Sequence, residues 1–90
     1  MLTRVRLLVS GRVQGVYFRA FTRKKALQLG VNGYTRNLAD GQVEIVAEAE
    51  EDILEKFVQW CNKGPITARV DQVIVAPLES NEIFSSFGIR

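Results

Sequence analysis

The 90-residue sequence contains no histidine and only one cysteine, Cys61. The first absence removes the commonest general base, the serine–histidine triads and the usual zinc sites. The second rules out an intrachain disulfide and fits a reducing compartment. Long apolar runs are missing too. In the opening "MLTRVRLLVS" the longest is Leu7-Leu8-Val9, too short for a signal peptide or a membrane span. A cytoplasmic protein with no membrane partner is expected. A further absence is regional. Residues 1–36 carry no acid, yet they hold Arg4, Arg6, Arg12, Arg19, Arg23, Lys24, Lys25 and Arg36. The acids begin at Asp40 and crowd into 44–55. A net charge of +2 is too weak on its own to imply nucleic acid. The uneven distribution instead puts a positive field, suited to a small anion, at one end of the molecule.

What is present reads as a single soluble domain over 1–90, with 47 % hydrophobic and 24 % charged residues. "TRVRLLVSG" alternates with period two and predicts a strand. From Phe18 the spacing becomes helical through Phe21, Thr22, Ala26 and Leu29, and Gly30 supplies a stop. "VNGYTRNL" and "QVEIVAE" predict two more strands, joined by a tight turn at Asp40-Gly41. Glu50, Glu51 and Asp52 suit the start of a second helix, whose buried stripe is Ile53, Leu54, Phe57, Trp60 and Cys61. Lys63-Gly64-Pro65 ends it. "ARVDQVIVA" is a fourth strand closed by Pro77, and "EIFSSFGI" adds a short fifth. The order β-α-β-β-α-β with a short C-terminal strand predicts an α+β, ferredoxin-like split βαβ fold. Its expected form is an antiparallel sheet with two helices on one face.

The stretch "VSGRVQGVYFR" at 9–19 lies between the first strand and the first helix. A helix N-terminus offers unpaired N–H groups and partial positive charge. Gly11 and Gly15 let several N–H groups converge on an anion. Arg19 in the first turn opposes the helix dipole, a cost its planar fork offsets if it clamps a phosphate. The alternative is that the glycines only shape the connection and Arg19 is a solvated charge. The generic phosphate-loop and dinucleotide motifs are absent, so spacing alone does not name the anion. Asn37, near the end of the second strand, either helps form the following turn or uses its carboxamide to hold and aim a water.

These residues carry a resemblance. "VSGRVQGVYFR" and "GYTRNLADGQVEIVAE" resemble the two signatures of the acylphosphatases, and "KGPITARVDQV" resembles the segment before that family's fourth strand. Thr35 stands where the family more often has a small apolar residue, and Ala49 where the second signature usually ends in glycine. The resemblance implies hydrolysis of the carboxyl–phosphate bond of acyl phosphates, without metal or cofactor. It implies catalytic roles for Arg19 and Asn37. Arg19 and the loop N–H groups of Arg12, Val13, Gln14, Gly15, Val16, Tyr17 and Phe18 would bind the phosphate, and Asn37 would position the attacking water. Nothing obvious reads the acyl part, so broad acyl tolerance is expected, in a monomer.

Two other readings stand beside it. One is a binding module that recognises an acyl phosphate such as carbamoyl phosphate without turnover. The other is an RNA-binding domain supported by Arg23, Lys24 and Lys25, although the aromatic strand signature of RNA recognition motifs is absent. Trp60 and Cys61 read as core, Tyr34 as sheet packing, and the acids Glu48, Glu50, Glu51 and Asp52 as a helix start with a solvated face.

Overall fold

The computed structural model describes residues 1–90. Its elements are β1 (Leu2–Arg12), α1 (Phe18–Leu29), β2 (Asn32–Asn37), β3 (Val43–Glu50), α2 (Glu51–Lys63), β4 (Arg69–Pro77) and β5 (Phe87–Ile89). They form one five-stranded sheet in the order β4-β1-β3-β2-β5. Period-two alternation sends Leu7 and Val9 of β1, and Val43, Ile45, Ala47 and Ala49 of β3, to the face that both helices cover. From the helices, Phe18, Ala26, Leu54, Phe57 and Cys61 complete the cluster. The rings of Phe57 and Phe87 meet edge to face at 6.0 Å. Burying a side chain of this size contributes about 1.5–3 kcal/mol. Phe21, at helical spacing in α1, is exposed, and Ile53 and Trp60 of the expected buried stripe of α2 are only partly covered.

β1 to β4 pair antiparallel as expected, but β5 runs parallel to β2, so the sheet is mixed. The path of the chain explains this. β4 ends at one edge beside Val5, and residues 78–86 then cross to the opposite edge over the sheet face without helices. Arg4 holds this strap by donating to the carbonyls of Ser80 and Glu82, with its guanidinium over the Phe84 ring. Tyr34 meets Phe84 edge to face and lies beneath Arg90. The strap reaches β2 at its starting end, so β5 can only run in β2's own direction and finishes with Ile89 beside Thr35.

The same open face corrects the reading of the acids. Glu48 belongs to β3 and accepts from Arg4, not to a helix start, and α2 begins at Glu51. Glu44 is buried between Arg6 and Arg36. Thr35 is fully buried, with its hydroxyl donating to the Glu44 carbonyl. Arg23 donates to the Phe87 carbonyl and ties α1 to β5. No helix is long and apolar enough to cross a membrane.

Candidate active site

The connection between β1 and α1 is built by two buried anchors and two unusual backbone positions. Val13 and Phe18 are each 1 % exposed and fix its ends in the core. Phe18 packs on Trp60, with ring centroids 6.1 Å apart. A register shift between Ser10 and Gly11 bends β1 just past the end of its pairing with β3, where it still pairs with β4. Gly15 (φ 75°) and Tyr17 (φ 64°) both adopt positive φ, and Tyr17 is the one non-glycine residue that does so. Left-handed backbone costs a side chain about 1–2 kcal/mol, and such strain gathers at functional segments. It turns the chain sharply into the helix.

The consequence is a row of backbone donors. No N–H from Gly15 to Ala20 is bonded within the protein, and the first bond of the helix is from Phe21 N–H to the Tyr17 carbonyl. No side chain caps α1 and no acid lies in its first turn, so the positive end of the helix dipole is uncompensated. Arg19 stands half-buried beside these groups, and no carboxylate pairs with it. A cleft of about 340 Å³ opens here, lined by Val13, Gly15, Tyr17, Phe18, Arg19, Ala20 and Ile89. Apart from Arg19 and the backbone, this lining is mostly apolar. It can take a small anion at one point and an uncharged group beside it.

Two side chains brace the loop from outside. Thr67 donates through Oγ1 to the Val16 carbonyl at 2.8 Å. Gln14 donates through Nε2 to the carbonyls of Leu38 and Gln42, both at 2.8 Å.

The acylphosphatase family profile matches residues 5–89. The chain belongs to this family. It is 50 % identical over 86 residues to an acylphosphatase of Marinobacter nauticus, a match spanning 96 % of this chain and 94 % of that one. The solved acylphosphatase of Bacillus subtilis superposes with a TM-score of 0.92 at 38 % identity, covering 100 % of this chain and 99 % of that one. That of Coxiella burnetii gives a TM-score of 0.92 at 39 % identity, covering 99 % and 93 %. The enzyme class is therefore acylphosphatase.

Of the residues expected at an acylphosphatase site, the cleft brings together Val13, Gly15, Tyr17, Phe18 and Arg19. Val13 and Phe18 have their side chains in the core, so only their backbone is available. Arg12 is the exposed last residue of β1, opposite Arg69, and Val16 packs against the core; neither lines the cleft. Asn37 also lies outside the lining. It is exposed at the end of β2, paired with Val43 and adjacent to the Leu38 that Gln14 grips. Ile89 is a cleft residue that sequence reading missed. Its only signal was a short apolar stretch at the C-terminus, and its place depends on the parallel pairing of β5.

Proposed function

We propose that this acylphosphatase hydrolyses the carboxyl–phosphate bond of acyl phosphates using Arg19, the N–H groups of the 12–18 loop and Asn37. The observation that carries the reading is the run of unbonded N–H groups from Gly15 to Ala20 beside the unpaired Arg19. Such donors stabilise charge on the equatorial oxygens of a transferring phosphoryl group without reorganising during the reaction. Arg19's fork adds bidentate contact to the same oxygens. The leaving group is a carboxylate with a conjugate-acid pKa of about 4, so departure needs no general acid. The loose transition state of phosphoryl transfer asks little of the nucleophile. Asn37 holds the water by its carboxamide oxygen and aims it in line, and a phosphate oxygen of the substrate takes the water's proton. The acyl part rests on the apolar side of the cleft, against Tyr17 and Ile89. Residues 1–90 act as one domain, as a monomer.

The test is turnover of benzoyl phosphate without added metal by the wild type, Arg19→Lys and Asn37→Ala. Lysine keeps the charge and removes the fork. Each substitution is expected to cost ~10²–10³ in kcat/KM. Near-normal turnover in either folded variant refutes the role given to that residue. Binding without turnover by the wild type would establish the binding-module reading instead.

A further inference from the structure

We infer that Gln14 is a positioning residue, whose carboxamide clasps the phosphate loop to the β2–β3 turn and thereby fixes Asn37 relative to the phosphate. The inference rests on the function proposed above. The sequence placed Gln14 among the phosphate-binding positions. Its side chain is committed elsewhere. A carboxamide nitrogen carries two hydrogens, and the Gln14 Nε2 directs them to the Leu38 and Gln42 carbonyls, each at 2.8 Å. The atom left over, Oε1, accepts only and would repel a phosphate oxygen. The side chain of Gln14 therefore contributes geometry, and any contact with the anion falls to its backbone.

The two carbonyls it grips belong to a turn that is stiff in its own right. Leu38 N–H donates to the Gln42 carbonyl at 2.8 Å and Gly41 N–H to the Leu38 carbonyl at 3.2 Å. Asp40 accepts from the Gln42 backbone N–H at 3.1 Å and from its side chain at 2.7 Å. Leu38 directly follows Asn37. A single half-buried side chain thus joins the loop that holds the transferring phosphoryl group to the strand end that holds the water. The other brace, from Thr67 to Val16, ties the loop to the segment before β4 and does not reach Asn37. A displacement of about 1 Å between reacting groups can cost ~10² in rate, so loosening this one link should affect the chemical step more than phosphate affinity.

The experiment measures kcat for benzoyl phosphate and Ki for inorganic phosphate in Gln14→Ala and Gln14→Met, each alone and combined with Asn37→Ala. Gln14→Met keeps the length and apolar stem, so it carries the test if Gln14→Ala melts below the assay temperature. Alone, each is expected to lower kcat about 10–100-fold while Ki stays within about twofold. On the Asn37→Ala background the further loss should be under about twofold, because residues acting as one unit are non-additive. An equal loss on both backgrounds, a Ki rise that matches the kcat loss, or an unchanged kcat overturns the inference and leaves the proposed function standing. Full activity in Asn37→Ala alone refutes the role of Asn37, and the positioning role of Gln14 with it.

Discussion

Arg36 and Glu44 stand opposite each other on β2 and β3, and Arg36 Nε–H donates to Glu44 Oε1 at 2.6 Å. Arg6, from β1, donates to the other carboxylate oxygen at the same distance. Glu44 is 3 % exposed. Burial alone would push its pKa up, but the two guanidiniums outweigh it and hold the carboxyl below its ordinary value. A carboxyl depressed in the folded state stabilises the protein fully above its unfolded pKa, near 4.3. That stability is lost as pH falls through the lower folded value. Glu44→Gln is therefore expected to cost about 1–3 kcal/mol at neutral pH. The gap to the wild type should narrow below a pH of about 4. Urea melts of both proteins at neutral and acid pH measure this. A gap of constant size would mean that Glu44 contributes through packing and not through charge.

Gly11, in β1, and Gly15, in the loop that follows it, sit four residues apart and are glycine for different reasons. A Cβ on Gly11 would fall 2.2 Å from the Arg69 carbonyl oxygen of β4, at a φ of 125°. A Cβ on Gly15, at a φ of 75°, meets nothing within 4 Å, and the residue lines the cleft. Gly11→Ala should therefore be a folding variant, losing about 2–4 kcal/mol as β1 and β4 are forced apart. Gly15→Ala should lose only about 1–2 kcal/mol for the left-handed backbone. Thermal unfolding ranks the two. The Ki for phosphate in Gly15→Ala then shows whether the added methyl group also obstructs the anion. Equal destabilisation would remove the distinction.

The parts of the fold legible in the sequence are those punctuated locally. Phe18 begins α1 and Gly30 follows it, Lys63-Gly64-Pro65 ends α2, and Asp40-Gly41 lies in the β2–β3 turn. Glycine and proline act on their neighbours, so no tertiary information was needed. The placement of the loop between β1 and α1, and of Arg19 in the first turn of α1, was legible for the same reason. Features set by distant contacts were not. The parallel pairing of β5 depends on the 78–86 strap reaching β2 at its starting end, along a path held by Arg4, Tyr34 and Phe84 together. Glu48 reads as part of an acid run until β1 brings Arg4 opposite it. Gln14 sits inside a phosphate-loop motif, and only the folded hairpin shows where its amide hydrogens go. Tyr17's left-handed backbone gives no sequence signal, since aromatic residues rarely adopt it.

Ile89 bears on the expectation of broad acyl tolerance. It is 45 % exposed and shares the cleft with Tyr17, which is 76 % exposed. Both leave apolar surface open near Arg19. An acyl group laid on that surface gains in proportion to the apolar area it covers, at roughly 25 cal/mol per Å². Preference among acyl groups should then be graded by apolar size, with no single group required. For Ile89→Ser, kcat/KM for benzoyl phosphate is expected to fall about 3–10-fold more than for acetyl phosphate, corresponding to roughly 1 kcal/mol of lost apolar contact. The Ki for inorganic phosphate should be unchanged, since phosphate has no acyl part. Arg90 N–H donates to the Thr35 carbonyl next to Ile89, so β5 keeps a backbone bond to β2 in the variant. If both substrates lose activity equally, Ile89 supports the loop end of the sheet and does not touch the acyl group. The acyl portion would then be read by Tyr17 or left in solvent.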